Sequence, residues 1–347
     1  MLTLVGMRAP SFLHLPPFPS LIRNIATLVG GAMLLLSAIP ACAQVTWRMT
    51  TEYPANSISG IGLVTFARLV TERTGDFVTI TPAFDNELKI TSSEMPRAAL
   101  DGRIAGGDAF SGPLASFDPV FGLSTLPFVV QSIETARAAN ARARPLYEKA
   151  LAALGLKLLY LTVWPSSGLW SDRPIAEAGV MASLVVRTYD NSSTDVMRAA
   201  GASAQFLPMD AAIAGLKEHR LNAFLTSGDG GVGRKLWDFL PYFTSINYAM
   251  PVSLAFVRAD LFTGLPQRTQ AQVLAAAAET EQSQFDRLTH RVSENYARMR
   301  ENGVRIAEPA PASVVAALRQ AATDPIAAWK ARVGGEAVEI VEWAIRQ

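Results

Sequence analysis

The chain has 347 residues, half of them hydrophobic, with 31 basic against 30 acidic side chains and a formal net charge of +1. That length holds two domains of ordinary size, and the composition excludes a disordered chain. The balanced charge, with no basic cluster, excludes the long-range field that nucleic-acid binding needs.

Arg8 and Arg23 precede an apolar run over 25–39, which Ala41, Cys42 and Ala43 close with a small-x-small pattern. Residues 1–43 therefore read as an export signal, with Gln44 the first mature residue and Met7 an alternative start. The run is too short for a comfortable membrane span. Cys42 is the only cysteine, so the mature chain offers no disulfide, no thiol nucleophile and no iron–sulfur ligand. Residues 39–42 also loosely match a lipobox, and the competing reading is a lipid anchor on Cys42.

From Val45 onward apolar strands alternate with helical patterns, as in α/β proteins. A strand over 46–50, a helix over 57–73 with Leu63, Phe66 and Val70 on one face, and a strand over 77–81 make the first unit. A helix over 92–101 follows, with Gly102 at its end. Next come an apolar segment over 123–130 with a central proline, a helix over 133–154 and a buried strand over 156–163. Arg137, Arg142 and Arg144 read as the solvated face of that helix. Composition shifts at residues 164–168, a plausible crossing between lobes.

Residues 184–209 carry the most specific pattern. Leu184, Val185 and Val186 form a β-branched run of the kind covered on both faces, Arg187 ends it, and Asp190, Asn191 and Ser192 supply turn and cap chemistry. Ser192 and Asp195 have capping-box spacing, and Gly201 can close the short helix. A guanidinium at a strand end, next to free helix amides, is an arrangement that receives a carboxylate.

Further on lie a strand over 221–225, the glycine-rich stretch Gly228–Gly233 and a strand over 252–257 that returns to the first lobe. Residues 266–302 are helical throughout, with Phe285, Leu288, Val292, Tyr296 and Met299 along one stripe and Gly303 just past the end. At 1.5 Å per residue this helix spans about 55 Å, so it bends or runs across both lobes. A strand near 304–306 and two terminal helices complete the chain.

Catalytic equipment is missing from the pattern. His219 and His290 have no companions at metal-ligand spacing and read as surface residues. No G-x-S-x-G elbow is present, and Ser227 lacks the first glycine of one. Gly228, Gly230 and Gly233 fit G-x-G-x-x-G after a strand, but they lie far from a first βαβ unit and no acid follows at about 20 residues. The stretch reads as a flexible loop at a pocket rim. Glu52, Asp85, Glu87, Asp108 and Asp118 fall on expected loops and read as mostly solvated. An exported two-lobed chain without catalytic equipment is more naturally a binder than an enzyme.

Several segments resemble the extracytoplasmic solute-binding proteins of TRAP transporters, the DctP type, over nearly all of the mature chain. They are FARLVTERTG at 66–75, PVFGLSTLPF at 119–128, LGLKLL at 154–159, VVRT at 185–188, residues 200–202 and 261–266, and the long helix. The resemblance implies a two-lobed α/β periplasmic binding protein with a mixed sheet in each lobe, hinge strands and a long helix spanning both. Its lobes would be 44–165 with about 252–284, and 166–251 with about 285–347. It also implies that Arg187 pairs bidentately with a ligand carboxylate, and that Tyr189, Asn191, Glu52, Phe110, Thr226, Ser227 and Trp237 fall where the family contacts ligand. Ser167 stands where sugar-acid binders have a second arginine, which argues against sialic acid. Arg173 matches a basic position near the crossing without a ligand role.

The expectation is thus a periplasmic receptor, not an enzyme. It would capture a small organic acid between its lobes, use no cofactor, pass the acid to membrane subunits of a TRAP transporter, and exist as a monomer or a dimer. Two alternatives remain: an exported NAD(P)-dependent oxidoreductase using Gly228–Gly233, and an orphan binding protein serving a sensor.

Overall fold

The computed structural model describes residues 44–347, which form one unit; the expected export signal and Cys42 lie outside them. Two mixed sheets organise this unit. Strands β1 (Val45–Thr50), β2 (Val78–Ala83), β3 (Gly106–Phe110), β4 (Leu156–Val163) and, much later, β10 (Val252–Arg258) make the first, in the order β2-β1-β3-β10-β4. The second joins β5 (Ser167–Ser171), β6 (Val185–Thr188), β7 (Ser203–Phe206), β8 (Ala223–Ser227), β9 (Tyr242–Thr244) and β11 (Arg305–Ala307), in the order β11-β9-β5-β8-β6-β7.

In the first sheet β1 runs parallel to β2 and β3, whereas β10 is antiparallel to β3 and β4. The chain therefore passes from one sheet to the other between β4 and β5, and back between β9 and β10. The strand at 252–257 does return to the first sheet, and it does so at an interior position. β10 is buried along six of its seven residues, which is why it reads as an unbroken apolar run and not as an alternating one.

Helices α1 (Ile58–Thr74), α2 (Met95–Leu100), α3 (Ser111–Leu114) and α4 (Ile133–Ala153) flank the first sheet. Ser57 caps α1 by accepting the Gly60 amide, and Gly75, left-handed at φ 58°, ends it, in the N-cap and C′ roles these residues favour. Helices α5 (Asn191–Ala199), α6 (Met209–Lys217) and α7 (Gly228–Gly233) belong with the second sheet, and α8 (Ala259–Thr263) follows β10. The long helix is α9 (Gln267–Glu301), 35 residues and about 52 Å. It packs on α1 and β4 at one end and on α7 and β11 at the other, so it crosses both sheets. Helices α10 (Ala312–Ala321), α11 (Thr323–Lys330) and α12 (Gly335–Ile345) close the chain; α10 and α11 lie on α5, and α12 reaches back to α4.

Several expectations need correction. Gly228–Gly233 is not a flexible loop but the short helix α7, capped by Ser227 and buried through Val232. No phosphate cradle exists there, because Trp170 occupies the space beside Gly231. The capping box of α5 is made by Asp190 and Ser193, two residues earlier than Ser192 and Asp195. Three helices, not two, follow β11. Strands β3, β5, β7 and β9 gave no clear periodic signal; β3 reads GGDAF, and its two glycines and aspartate all disfavour strands.

Of the arginines of α4, Arg137 and Arg142 are exposed as expected and Arg144 is half-buried, and all three also meet neighbouring helices. Arg144 pairs with Glu281 of α9, Arg137 lies over the Phe285 ring and Arg142 over the Trp343 ring, so the face is where α4 meets α9 and α12. His219 and His290 are both exposed. Among the described residues there is no group of three or more His, Cys, Asp or Glu side chains able to hold a metal ion, and no helix long and apolar enough to cross a membrane.

Candidate functional site

Arg187 sits near the carboxyl end of β6, with β7 on one side and β8 on the other. Its side chain is 5 % exposed and held in place. Nε donates to the Leu207 carbonyl at 2.9 Å, Nη1 to the Leu225 carbonyl at 3.4 Å, and the guanidinium carbon lies 4.7 Å from the centroid of the Phe224 ring. Among the described residues it makes no ion pair with a carboxylate. Burial pushes its pKa down, a cost that Tyr53, Glu52, Tyr189 and Asp190 only partly offset. A cation so placed is stabilised by any anion that reaches it.

The guanidinium faces a cavity of two compartments. One is bounded by Glu52, Ser92, Pro113, Phe206 and Pro208, the other by Trp164, Ser167, Met209, Thr226 and Ser227. Tyr53, Phe110, Arg187 and Tyr189 line both. Tyr53 and Trp164 stand 4.6 Å apart between ring centroids, and Phe110 meets Tyr189 edge-on at 5.3 Å. Since Tyr53, Phe110 and Trp164 come from the first sheet and Tyr189 from the second, the rings form an aromatic wall across the junction. The Tyr189 hydroxyl is buried without a hydrogen-bond partner, and burial raises its pKa well above the ordinary phenol value.

Glu52, in the loop after β1, is 7 % exposed and therefore not solvated as its loop position suggested. Its Oε1 accepts from the Ser92 amide at 3.3 Å and from the Ser92 hydroxyl, whose oxygen in turn accepts the Phe110 amide at 2.9 Å. Burial raises the Glu52 pKa, against the Ser92 hydrogen bonds and the charges of Arg187 and Arg234. Asp108 is likewise wholly buried; it accepts from Ser59 at 2.6 Å, and burial pushes it up to about 7.

Contacts also cross the cleft. Arg234, just past α7, donates to the Glu52 carbonyl at 2.8 Å, pairs with Asp85 and lies 3.8 Å from Asp210. Asn86 donates to Asp210 at 2.6 Å. Nearer the spine, Asp229 of α7 accepts from the Ile58 amide at 2.9 Å, from Asn295 at 3.1 Å and from Arg291, which also donates to the Asn56 carbonyl.

The fold brings seven of the nine sequence-selected residues to this cavity: Glu52, Phe110, Ser167, Arg187, Tyr189, Thr226 and Ser227. Asn191 and Trp237 are not among them. Asn191 is the exposed first residue of α5 and borders a separate depression beside Trp329. Trp237 is half-buried in a 3-10 turn and packs on the core. Arg173 is exposed and pairs with its neighbour Asp172. Sequence reasoning missed Tyr53, Ser92, Trp164, Phe206, Met209 and Arg234. Trp164 directly follows an expected strand end and Tyr53 lies three residues past another, near the position from which open α/β sheets reach ligands; Arg234 carried no such signal.

Residues 49–330 match the family described as bacterial extracellular solute-binding protein, family 7 (DctP). A search of curated proteins finds no match. Solved structures do match. An extracytoplasmic solute receptor of Bordetella pertussis that binds pyroglutamic acid superposes with a TM-score of 0.82 at 22 % identity, covering 87 % of this chain and 100 % of that one. A TRAP periplasmic solute-binding protein of Desulfovibrio salexigens with bound orotic acid gives 0.79 at 19 %, covering 87 % and 97 %. One from Shewanella oneidensis with bound succinate gives 0.81 at 13 %, covering 87 % and 100 %. At these identities the likeness is one of fold.

Proposed function

Because the chain belongs to the bacterial extracellular solute-binding proteins of family 7, we propose that its interlobe cavity captures a small organic acid whose carboxylate pairs with Arg187. The observation that carries this reading is Arg187 itself, a buried cation with no carboxylate of its own, held by two backbone carbonyls and an aromatic ring at the wall of a cavity. A carboxylate docked there forms charge-assisted hydrogen bonds in a site from which water is excluded, where each is worth more than at a surface. The aromatic wall takes the ligand's apolar body.

Capture is a closure step. Residues 44–165 with about 252–284 act as one lobe and 166–251 with about 285–347 as the other, while the crossing segments and α9 serve as the hinge. Ligand binds the closed state better than the open one and shifts the population toward it. The closed receptor then presents its acid to the membrane subunits of a TRAP transporter. The match to a family of solute-binding proteins supports a receptor over an enzyme. Pyroglutamic, orotic and succinic acids, the ligands of the structural relatives, set the range of acids to screen.

The test is a thermal-shift screen of small organic acids on residues 44–347, unfolded and refolded to strip co-purified ligand, followed by calorimetry of the hits. Binding raises the melting temperature by mass action. At least one acid binds saturably at one site per chain, and Arg187→Ala abolishes it. Unchanged affinity in that variant, or no response to any acid, overturns the reading.

A further inference from the structure

Resting on that reading of the cavity, we propose that Glu52 reads a hydrogen-bond donor on the ligand. The preferred solute then carries one carboxylate for Arg187 and an N–H or O–H group for Glu52, and dicarboxylates are disfavoured. Both side chains line the same compartment, one as its cation and the other as its acid. Pro113, Phe206 and Pro208 are the apolar surface beside them.

The environment of Glu52 is asymmetric. Oε1 is taken up by the Ser92 amide and hydroxyl, whereas Oε2 receives no donor among the described residues. The Ser92 contacts fix the carboxyl group, and because the Ser92 oxygen also receives the Phe110 amide, the rotamer is tied to the end of β3. Oε2 is open to the cavity and free to accept from a ligand, and because Glu52 as a whole is only 7 % exposed, a donor supplied there gains more than it would at a surface. Burial already works against the ionised acid. A donor opposite Oε2 relieves that opposition, and a second ligand carboxylate deepens it through like-charge repulsion in a dry site.

The charge count points the same way. Arg187 and Glu52 neutralise one another formally, and a monocarboxylate adds one negative charge beside the cation. A dicarboxylate adds two, the second of them with no cation left in the compartment; Arg234 is already shared among the Glu52 carbonyl, Asp85 and Asp210. A site built to hydrogen-bond a ligand N–H or O–H discriminates strongly against analogues that lack it, because the buried acceptor is then left unpaired.

The experiment is a calorimetric series on the ligand-stripped protein with four probes: a five-membered lactam acid, its N-methyl derivative, cyclopentanecarboxylate and glutarate. The lactam acid binds the wild type at least tenfold more tightly than the other three, and in Glu52→Gln this preference falls to within about threefold while glutarate improves. Equal binding of the lactam acid and its N-methyl derivative to the wild type overturns the inference but leaves the Arg187 reading intact, and so does a preference that persists in Glu52→Gln. Failure of all four probes on the wild type overturns the inference, and the Arg187 reading falls with it only if the wider screen of acids also finds no ligand. Because the wild-type comparison is decisive alone, poor folding of the variant does not remove the test.

Discussion

Arg187 and Phe224 occupy the same register position on the adjacent parallel strands β6 and β8, and the guanidinium carbon lies 4.7 Å from the ring centroid. The ring and two main-chain carbonyls together orient a planar, forked donor, which an ammonium group cannot mimic. Arg187→Lys, though it keeps the charge, therefore weakens carboxylate binding by about tenfold to a hundredfold, the worth of one charge-assisted hydrogen bond. Calorimetry with an acid identified by the screen checks this, and equal affinity refutes it. The unliganded Arg187→Ala variant, which does remove the buried cation, melts no lower than the wild type by more than a few degrees, since the desolvation cost goes with the charge.

Arg234 ties the second-sheet side to the loop after β1 through the Glu52 carbonyl and Asp85. Arg234→Ala loosens the closed state more than either lobe. Affinity falls by about threefold to thirtyfold, chiefly through faster dissociation, while the unliganded melting temperature changes little. Stopped-flow dissociation rates decide the point, and an unchanged off-rate counts against the latch.

Asp229 is wholly buried and receives Arg291, Asn295 and the Ile58 amide. Removing one partner of such a pair leaves the other buried and uncompensated, so Asp229→Ala costs about 3–5 kcal/mol in chemical denaturation. A loss under 1 kcal/mol would show that water replaces the carboxylate.

The interior of α7 offers a steric test. A Cβ on Gly231 would stand 2.1 Å from the Trp170 ring, whereas one on Gly233 would make an ordinary contact with Pro54 at 3.7 Å. Gly231→Ala should destabilise by about 1–3 kcal/mol or more, and Gly233→Ala by about 0.5 kcal/mol or less. Equal melting temperatures for the two variants would contradict the buried helix.

Asp108, Glu52, Asp190 and Glu281 all have pKa values raised by burial, Asp108 to about 7. A raised carboxyl pKa means that the folded state binds more protons than the unfolded one. The stability contribution of Asp108 is therefore fully present below its unfolded value of 3.8 and is lost as pH rises to about 7. The loss is on the order of 4 kcal/mol at most. Asp108→Asn keeps an acceptor for Ser59 and removes the titration, so it stabilises the protein at pH 8 and has little effect at pH 4. Parallel melting curves for the two proteins across pH 4–8 would rule this out.

Long periodic elements were legible from sequence because one burial pattern specifies them: α4, α9 and β4 lie within a residue or two of their expected bounds. Arg187 was legible for a related reason, being a charge directly after a β-branched run. The short strands β3 and β9 were not, since GGDAF and YFT become strands only when neighbours supply their hydrogen bonds. Trp237 and Asn191 were placed at the site by likeness of position, but the turn after Lys235 and the start of α5 direct them elsewhere.

The sequence by itself determined the α/β class, the spine helix, the family and the arginine, because each is written in local pattern or in contiguous motifs. The tertiary structure alone decided that Glu52 is buried opposite Arg187, that the glycine-rich stretch is a packed helix and that Arg234 bridges the cleft. Those facts depend on pairs such as Glu52 with Ser92 and Asp229 with Arg291, separated by tens of residues along the chain. Desolvation and pairing are properties of the space such residues enclose, and no local window of sequence contains that space.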